Sequence, residues 1–214
     1  MSDICKSEAE RVLLVEGKDD CHVILALAQY YQLPENFGIF ECEGDEKVLK
    51  RLNALIPKSD PGRPQAIGVV LDATEGRWGQ FTAKIAHHRY EIPAQPDPNG
   101  TIIEGDDTKP RIGVWFMPDN SNEGMLEDFL LSGVPAVGVE VATEAVNLAK
   151  RKQVTTFKDV HYSKAVIHTY LAWQDEPGRP LGLSVTSKML SPETPRQNVS
   201  LPGCANSFPD SFRI

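Results

Sequence analysis

The pattern of apolar and polar residues predicts four buried strands in the first 120 residues. Residues 12–15, 37–42, 66–72 and 112–117 are almost entirely apolar, which is typical of strands covered on both faces. Amphipathic stretches follow the first three strands and predict helices. This alternation indicates an α/β fold with a mostly parallel, Rossmann-like sheet, right-handed crossovers and helices on both faces.

The second half of the chain predicts mainly helices. A short strand at 101–103 lies between polar stretches, and helices are expected at 125–131, 143–152, 163–173 and 181–190. We therefore expect one α/β domain over residues 1–190, with a C-terminal helical extension over about 141–190. Four prolines after Ser191 oppose regular structure and predict a loosely ordered tail at 191–214.

Acidic residues follow three of the predicted strands. Because parallel strands end at the same edge of a sheet, we expect these carboxylates to lie together. Clustered carboxylates repel each other, and a hard divalent cation such as Mg²⁺ or Mn²⁺ removes that repulsion. Such ions activate water and polarise phosphates, so the pattern predicts a metal site for a phosphodiester substrate. Its central residues are Glu16 and Asp72, and its supporting candidates are Glu75, Asp119, Glu123 and Glu127.

Several of the acidic residues have simpler explanations. Asp19 and Asp20 lie where a helix begins, and acids there interact favourably with the helix dipole. Glu123 resembles the last residue of a capping box that starts at Asn120. Glu127 is also consistent with an exposed helical residue. Lys18 is a candidate contact for a substrate phosphate, and a solvated lysine explains it equally well.

Composition and charge indicate an ordinary soluble protein. The 214 residues carry 22 basic and 30 acidic side chains, a net charge of −8. The basic residues are over-represented after residue 140 (9 against 6 acidic), where a phosphate backbone or a solvated helix face accounts for them. We expect no membrane segment. The four cysteines are widely spaced, so neither a zinc site nor a disulfide framework is indicated, and a reduced, cytoplasmic protein is expected.

The stretch Val15-Glu-Gly-Lys-Asp-Asp20, together with Leu71-Asp-Ala-Thr74, resembles the Toprim fold. That module is shared by topoisomerases, bacterial primases, recombination mediators and overcoming-lysogenization-defect nucleases. The resemblance implies that Glu16 acts as a metal ligand or general acid/base, and that Asp72 is the first metal-binding aspartate of an Asp-x-Asp motif. Residues 117–128 and 168–178 look like a narrower bacterial Toprim-like family of unknown function, and this similarity covers roughly residues 8–190.

One position departs from the Toprim pattern. Thr74 stands where the second aspartate is expected, and a hydroxyl is a poorer ligand for a divalent cation than a carboxylate. Either Glu75 or an acid from 119–128 replaces it, or metal binding is weakened. The leading hypothesis is a metal-dependent enzyme that cleaves nucleic acid. The second is a non-catalytic Toprim module that binds nucleic acid or a protein partner.

A phosphorylation switch of the receiver type is a third, weaker hypothesis. Acids at the ends of the first and third strands are also found in that class. Glu16 stands alone at its strand end, however, and no lysine partner is evident after the later strands.

Overall fold

A computed structural model describes residues 3–7, 9–34, 36–57, 62–187 and 189–190 of the chain. The strands are β1 (Arg11–Val15), β2 (Gly38–Glu41), β3 (Ala66–Asp72), β4 (Thr101–Ile103) and β5 (Arg111–Met117). The helices are α1 (Lys18–Tyr30), α2 (Asp45–Leu55), α3 (Arg77–Ile85), α4 (Leu126–Ser132), α5 (Ala136–Arg151), α6 (Tyr162–Leu171) and α7 (Leu181–Thr186). The predicted tail at 191–214 lies outside the described residues.

The strands form one five-stranded sheet in the order β2-β1-β3-β5-β4. The first four in that order are parallel, and β4 pairs antiparallel with β5 at the edge. The predicted α/β fold with a mostly parallel sheet flanked by helices is therefore confirmed. β2 lies on one side of β1 and β3 lies on the other, so the strand order reverses at β1.

Alternate residues of each central strand face two separate apolar cores. Leu13 and Val15 of β1 pack with residues of α1 and of α4 to α7. Val12 and Leu14 pack with residues of α2 and α3 on the opposite face. Both faces of the sheet are thus covered, which explains why these strands are continuous apolar runs in the sequence.

The helical extension packs on the side of the sheet that carries α1. α6 contacts α4 and α5, and α7 contacts α1. The α1–α7 contact is close: a Cβ on Gly182 would lie 2.6 Å from the carbonyl oxygen of His22. Within the described residues, no helix has the length and apolar character needed to cross a membrane.

Two of the helices in the second half of the chain differ from the prediction by more than two residues at one end. α5 begins at Ala136 instead of residue 143, after Pro135 at its N-cap. Its first turns have valine at every second position, at 137, 139 and 141, which differs from the 3.6-residue apolar spacing of a buried helix face. Val137 and Val141 are exposed. α7 ends at Thr186, four residues before the predicted end.

The cysteine prediction was wrong in one respect, because Cys5 and Cys21 form a disulfide. Residues 5–7 run beside β2: the Glu41 N–H donates to the Cys5 carbonyl (2.8 Å) and the Ser7 N–H to the Ile39 carbonyl (3.0 Å). This pairing places Cys5 over the first turn of α1. The contact is tertiary, and cysteine spacing alone does not reveal it.

We expect Cys5→Ser to lower the free energy of unfolding by about 3 kcal/mol. The disulfide joins residues 16 positions apart, and a cross-link over a loop of that length lowers the entropy of the unfolded chain by an amount worth about 3 kcal/mol. Urea denaturation without reductant measures the loss. Dithiothreitol should bring the wild type to the stability of the variant and leave the variant unchanged. Alkylation of Cys5 and Cys21 in unreduced, denatured wild type would contradict the cross-link.

Candidate functional site

An acidic cleft lies at the carboxyl ends of β1 and β3. This is the point where the strand order reverses, and open α/β sheets bind their ligands at such points. The cleft has a volume of about 380 Å³. Its acidic lining residues are Glu16, Asp19, Asp20, Asp72 and Glu127, and its basic ones are Lys18, His161 and Lys164.

The two central acids predicted from the sequence lie together in this cleft. The backbone N–H of Asp72 donates a hydrogen bond to Glu16 Oε1 at 2.8 Å. Parallel pairing of Leu14 with Val69 brings the end of β1 beside the end of β3 and places Glu16 within reach of the Asp72 N–H. Asp72 in turn accepts a hydrogen bond at Oδ1 from the Leu126 N–H at the start of α4, at 3.1 Å. Glu16 and Asp72 are therefore held by backbone groups, with one carboxylate oxygen of each used in this way.

The loop between β5 and α4 determines where α4 meets Asp72. The Ala73 N–H donates to the Met117 carbonyl (3.0 Å), and the Gly124 N–H donates to the Ala73 carbonyl (2.9 Å). A Cβ on Gly124 would lie 2.9 Å from both Asp128 Oδ2 and Pro118 Cδ, so this close approach requires glycine. The loop thereby brings the first turn of α4 to the cleft.

Asp20 has both of the roles considered for it. Its Oδ2 accepts a hydrogen bond from the Gly17 N–H at 2.9 Å and caps α1, so the explanation as a helix-start residue is confirmed. It also lines the cleft. Burial, with the added charges of Glu16 and Glu127, raises the pKa of Asp20 to about 7. A residue that the sequence assigned to the helix dipole is therefore part of the acidic cluster.

The carboxylates in the cleft oppose one another's ionisation. Burial, followed by repulsion from Glu16, Asp20 and Glu127, raises the pKa of Asp72 to about 8. Burial is also the main reason why the pKa of Glu16 is raised. The cluster therefore favours protonated carboxyls near neutral pH, and a bound cation would replace those protons.

One basic residue of the helical extension enters this cluster. Lys164 Nζ lies 3.2 Å from Glu127 Oε1 and 4.0 Å from Asp19 Oδ2. Burial lowers the pKa of Lys164, but the carboxylates of Glu127, Asp19 and Asp20 outweigh that effect, and its pKa is raised overall. Lys164 is therefore a firmly charged ammonium in an acidic cleft.

Three other predicted metal ligands are not among the residues that line the cleft. Glu75 and Glu123 are exposed. Asp119 stabilises its own loop, where its Oδ1 accepts hydrogen bonds from the N–H groups of Ser121 (3.0 Å) and Asn122 (2.8 Å). In the part of the chain that the structure describes, no three His, Cys, Asp or Glu side chains are already arranged to hold a metal ion.

The capping box predicted at Asn120–Glu123 was wrong. α4 begins later, at Leu126, and Asp128 caps it by accepting a hydrogen bond from the Met125 N–H at 2.9 Å. Glu127 lies in the first turn of α4, one residue before Asp128. Its side chain is buried, at 5% exposure. It is therefore not the exposed helical residue that the alternative explanation required.

Sequence reasoning also missed Arg77, which supports the cleft from below. Its Nε donates to the Asp72 carbonyl at 3.1 Å, and its Nη1 donates to Asp45 Oδ2 at 2.7 Å. The side chain is 8% exposed. Arg77 thus joins the end of β3 and the start of α3 to the first turn of α2, and no local motif marks its ion pair with Asp45, which belongs to a different element.

Fold and site together define an α/β domain with an acidic, partly buried cleft at the switch point of a parallel sheet. A family model matches residues 10–200, and the chain belongs to that family, DUF3226, which is described as a protein of unknown function. Searches among curated proteins and among solved structures found no match.

We expect Asp72→Asn to stabilise the protein at high pH. The pKa of Asp72 is raised from 3.8 to about 8 in the folded state, so ionisation favours the unfolded chain and wild-type stability falls as the pH rises through this range. Above about pH 8 the variant should be more stable by about 1–2 kcal/mol, or about 5 °C in melting temperature. Near pH 4 the gain should vanish.

Thermal denaturation between these two pH values measures the effect. Asp175→Asn removes a carboxylate at an exposed position and should follow the wild-type curve. Parallel pH profiles for wild type and Asp72→Asn would show that Asp72 ionises normally.

Proposed function

We propose that this protein is a divalent-metal-dependent, Toprim-type enzyme that cleaves phosphodiester bonds in nucleic acid. The observation that supports this most strongly is the hydrogen-bonded placement of Glu16 beside Asp72 at the switch point. These are the two residues on which the sequence resemblance rests. The family to which the chain belongs is described as having no known function, so the proposal is also a hypothesis for its other members.

The residues in the cleft suit Mg²⁺ or Mn²⁺. The donor atoms are carboxylate oxygens, which hard divalent cations prefer. Glu16 and Asp72 each use one oxygen to accept a backbone N–H, which leaves the second oxygen of each for a cation. Burial is the main cause of the raised pKa values of Asp20 and Asp72, and the neighbouring carboxylates add to it, so a bound cation would stabilise their ionised forms.

Glu127 is our candidate to replace the aspartate that the Toprim pattern places at Thr74. Thr74 is exposed, whereas Glu127 is buried, lines the cleft and adds to the charge that raises the pKa of Asp72. Glu16, Asp72 and Glu127 would then hold the metal, with Asp20 beside them. Bound metal would polarise the scissile phosphate and activate water, and Lys18 at the rim would contact a substrate phosphate.

A nucleic-acid substrate agrees with a cytoplasmic location, which remains part of the proposal. Disulfides are rare in that compartment unless they are catalytic or redox-sensing. Cys5 and Cys21 are both fully buried, so the folded protein shields their disulfide from the reductants of the cytoplasm.

Glu16→Gln is the direct test of the enzyme hypothesis. We expect wild type to cleave DNA or RNA with Mg²⁺ or Mn²⁺ present, and the variant to lose at least about 100-fold of that activity, because its neutral amide neither binds the metal tightly nor transfers the proton. Cleavage of labelled single- and double-stranded substrates is the measurement. Glu140→Gln removes an exposed carboxylate from α5 and should retain activity.

Calorimetric titration with Mn²⁺ separates the outcomes. If wild type binds Mn²⁺, Glu16→Gln does not, and neither protein cleaves, the metal site is supported and the proposed substrate is wrong. Equal metal affinity in wild type and Glu16→Gln would refute the proposed metal site.

A non-catalytic module that binds nucleic acid or a protein partner is the second candidate. The observation in its favour is the absence, among the described side chains, of a ready group of three metal-ligating residues, together with Thr74. Binding of labelled DNA or RNA that persists in excess EDTA, with no cleavage, would favour this module over the enzyme.

A further inference from the structure

Two consecutive residues of α6 contact two consecutive residues of α4. The Ser163 hydroxyl donates to Asp128 Oδ1 at 2.5 Å, and Lys164 Nζ lies 3.2 Å from Glu127 Oε1. Asp128 is itself fixed by its cap on the Met125 N–H. The serine contact therefore anchors the start of α6, and the next residue projects its ammonium into the cleft.

Glu127 is the acid that most needs this ammonium. It is 5% exposed, and an ionised carboxylate buried to that extent requires a compensating cation. Within the described residues, the ion pair that Glu127 forms is with Lys164. Lys164 thus partly neutralises the acidic charge of the cleft.

The Lys164 ammonium lies 3.2 Å from Glu127 Oε1, so it would repel a divalent cation that approached this oxygen. Lys164 also has a second carboxylate within reach, since Asp19 Oδ2 lies 4.0 Å from Nζ. Asp19 is half exposed at the rim of the cleft. A displaced ammonium therefore has an acidic partner without returning fully to water.

We propose that Lys164 is an internal competitor of the divalent cation: it occupies Glu127 while the cleft is empty and moves towards Asp19 when metal binds. This rests on the proposed metal site and adds a residue that sets its affinity. The helical extension would then regulate the metal concentration at which the cleft is loaded.

Lys164→Met tests the competition. We expect it to bind Mn²⁺ about tenfold more tightly than wild type, because the ammonium no longer has to be displaced. Isothermal titration calorimetry on the full chain gives the dissociation constant, and circular dichroism checks the fold. Lys18→Met removes the same charge from the same cleft and, because no ion pair joins Lys18 to Glu127 among the described contacts, should change the constant less than about twofold.

Two further variants separate competition from a general charge effect. Lys164→Arg keeps the charge and forms a more rigid pair with a carboxylate, so it should bind Mn²⁺ no more tightly than wild type. In a Glu127→Gln background the Lys164→Met effect should shrink to less than about twofold, since the contested carboxylate is gone.

Equal tightening by Lys164→Met and Lys18→Met would overturn the proposal, and so would weaker binding in a folded Lys164→Met or tighter binding in Lys164→Arg. These results differ from failure of the metal site itself. In that case Mn²⁺ would bind wild type no better than Glu16→Gln, whatever stands at position 164.

Discussion

The site depends on one hydrogen bond that crosses two strands, from the Asp72 N–H to the Glu16 carboxylate. The backbone N–H of Asp72 lies at the carboxyl end of β3. It finds its acceptor in the carboxylate of Glu16, which follows the neighbouring strand β1. The same contact brings two carboxylates into a partly buried space. Stability and charge repulsion are therefore coupled at this point, and the surrounding elements limit the cost of the repulsion.

Three kinds of contact stabilise the acids and backbone around the cleft. Backbone N–H groups at the starts of α1 and α4 stabilise acids through capping, as in Asp20 and Asp128. Arg77 supports the end of β3 from the opposite core. Lys164 supplies the one ammonium that pairs with Glu127 among the described residues. The caps are local in sequence, and so is the contact of Arg77 with the Asp72 carbonyl five residues earlier. The Arg77–Asp45 and Lys164–Glu127 pairs instead join elements that lie far apart in the chain.

This division explains what the sequence predicted and what it did not. Buried strands require continuous apolar runs, so β3 was predicted with its observed limits, and Glu16 and Asp72 were predicted at neighbouring strand ends because parallel strands share an edge. Loop acids carried no such constraint: Asp119 is used by its own turn, and Glu123 is exposed. Lys164 and the Cys5–Cys21 bridge depend on how α6 and the N-terminal segment pack, and apolar periodicity contains no information about those contacts.

The position of Lys164 also bears on how far the helical extension belongs to the site. A helix that only covered the apolar face of α4 would need no polar contact with the first turn of α4. Ser163 and Lys164 instead contact both acids of that turn, Asp128 and Glu127. Because Glu127 is buried, removing α6 would leave its charge without the cation that compensates it. The α/β domain and its extension therefore form one electrostatic unit around the cleft, and neither half contains the complete site.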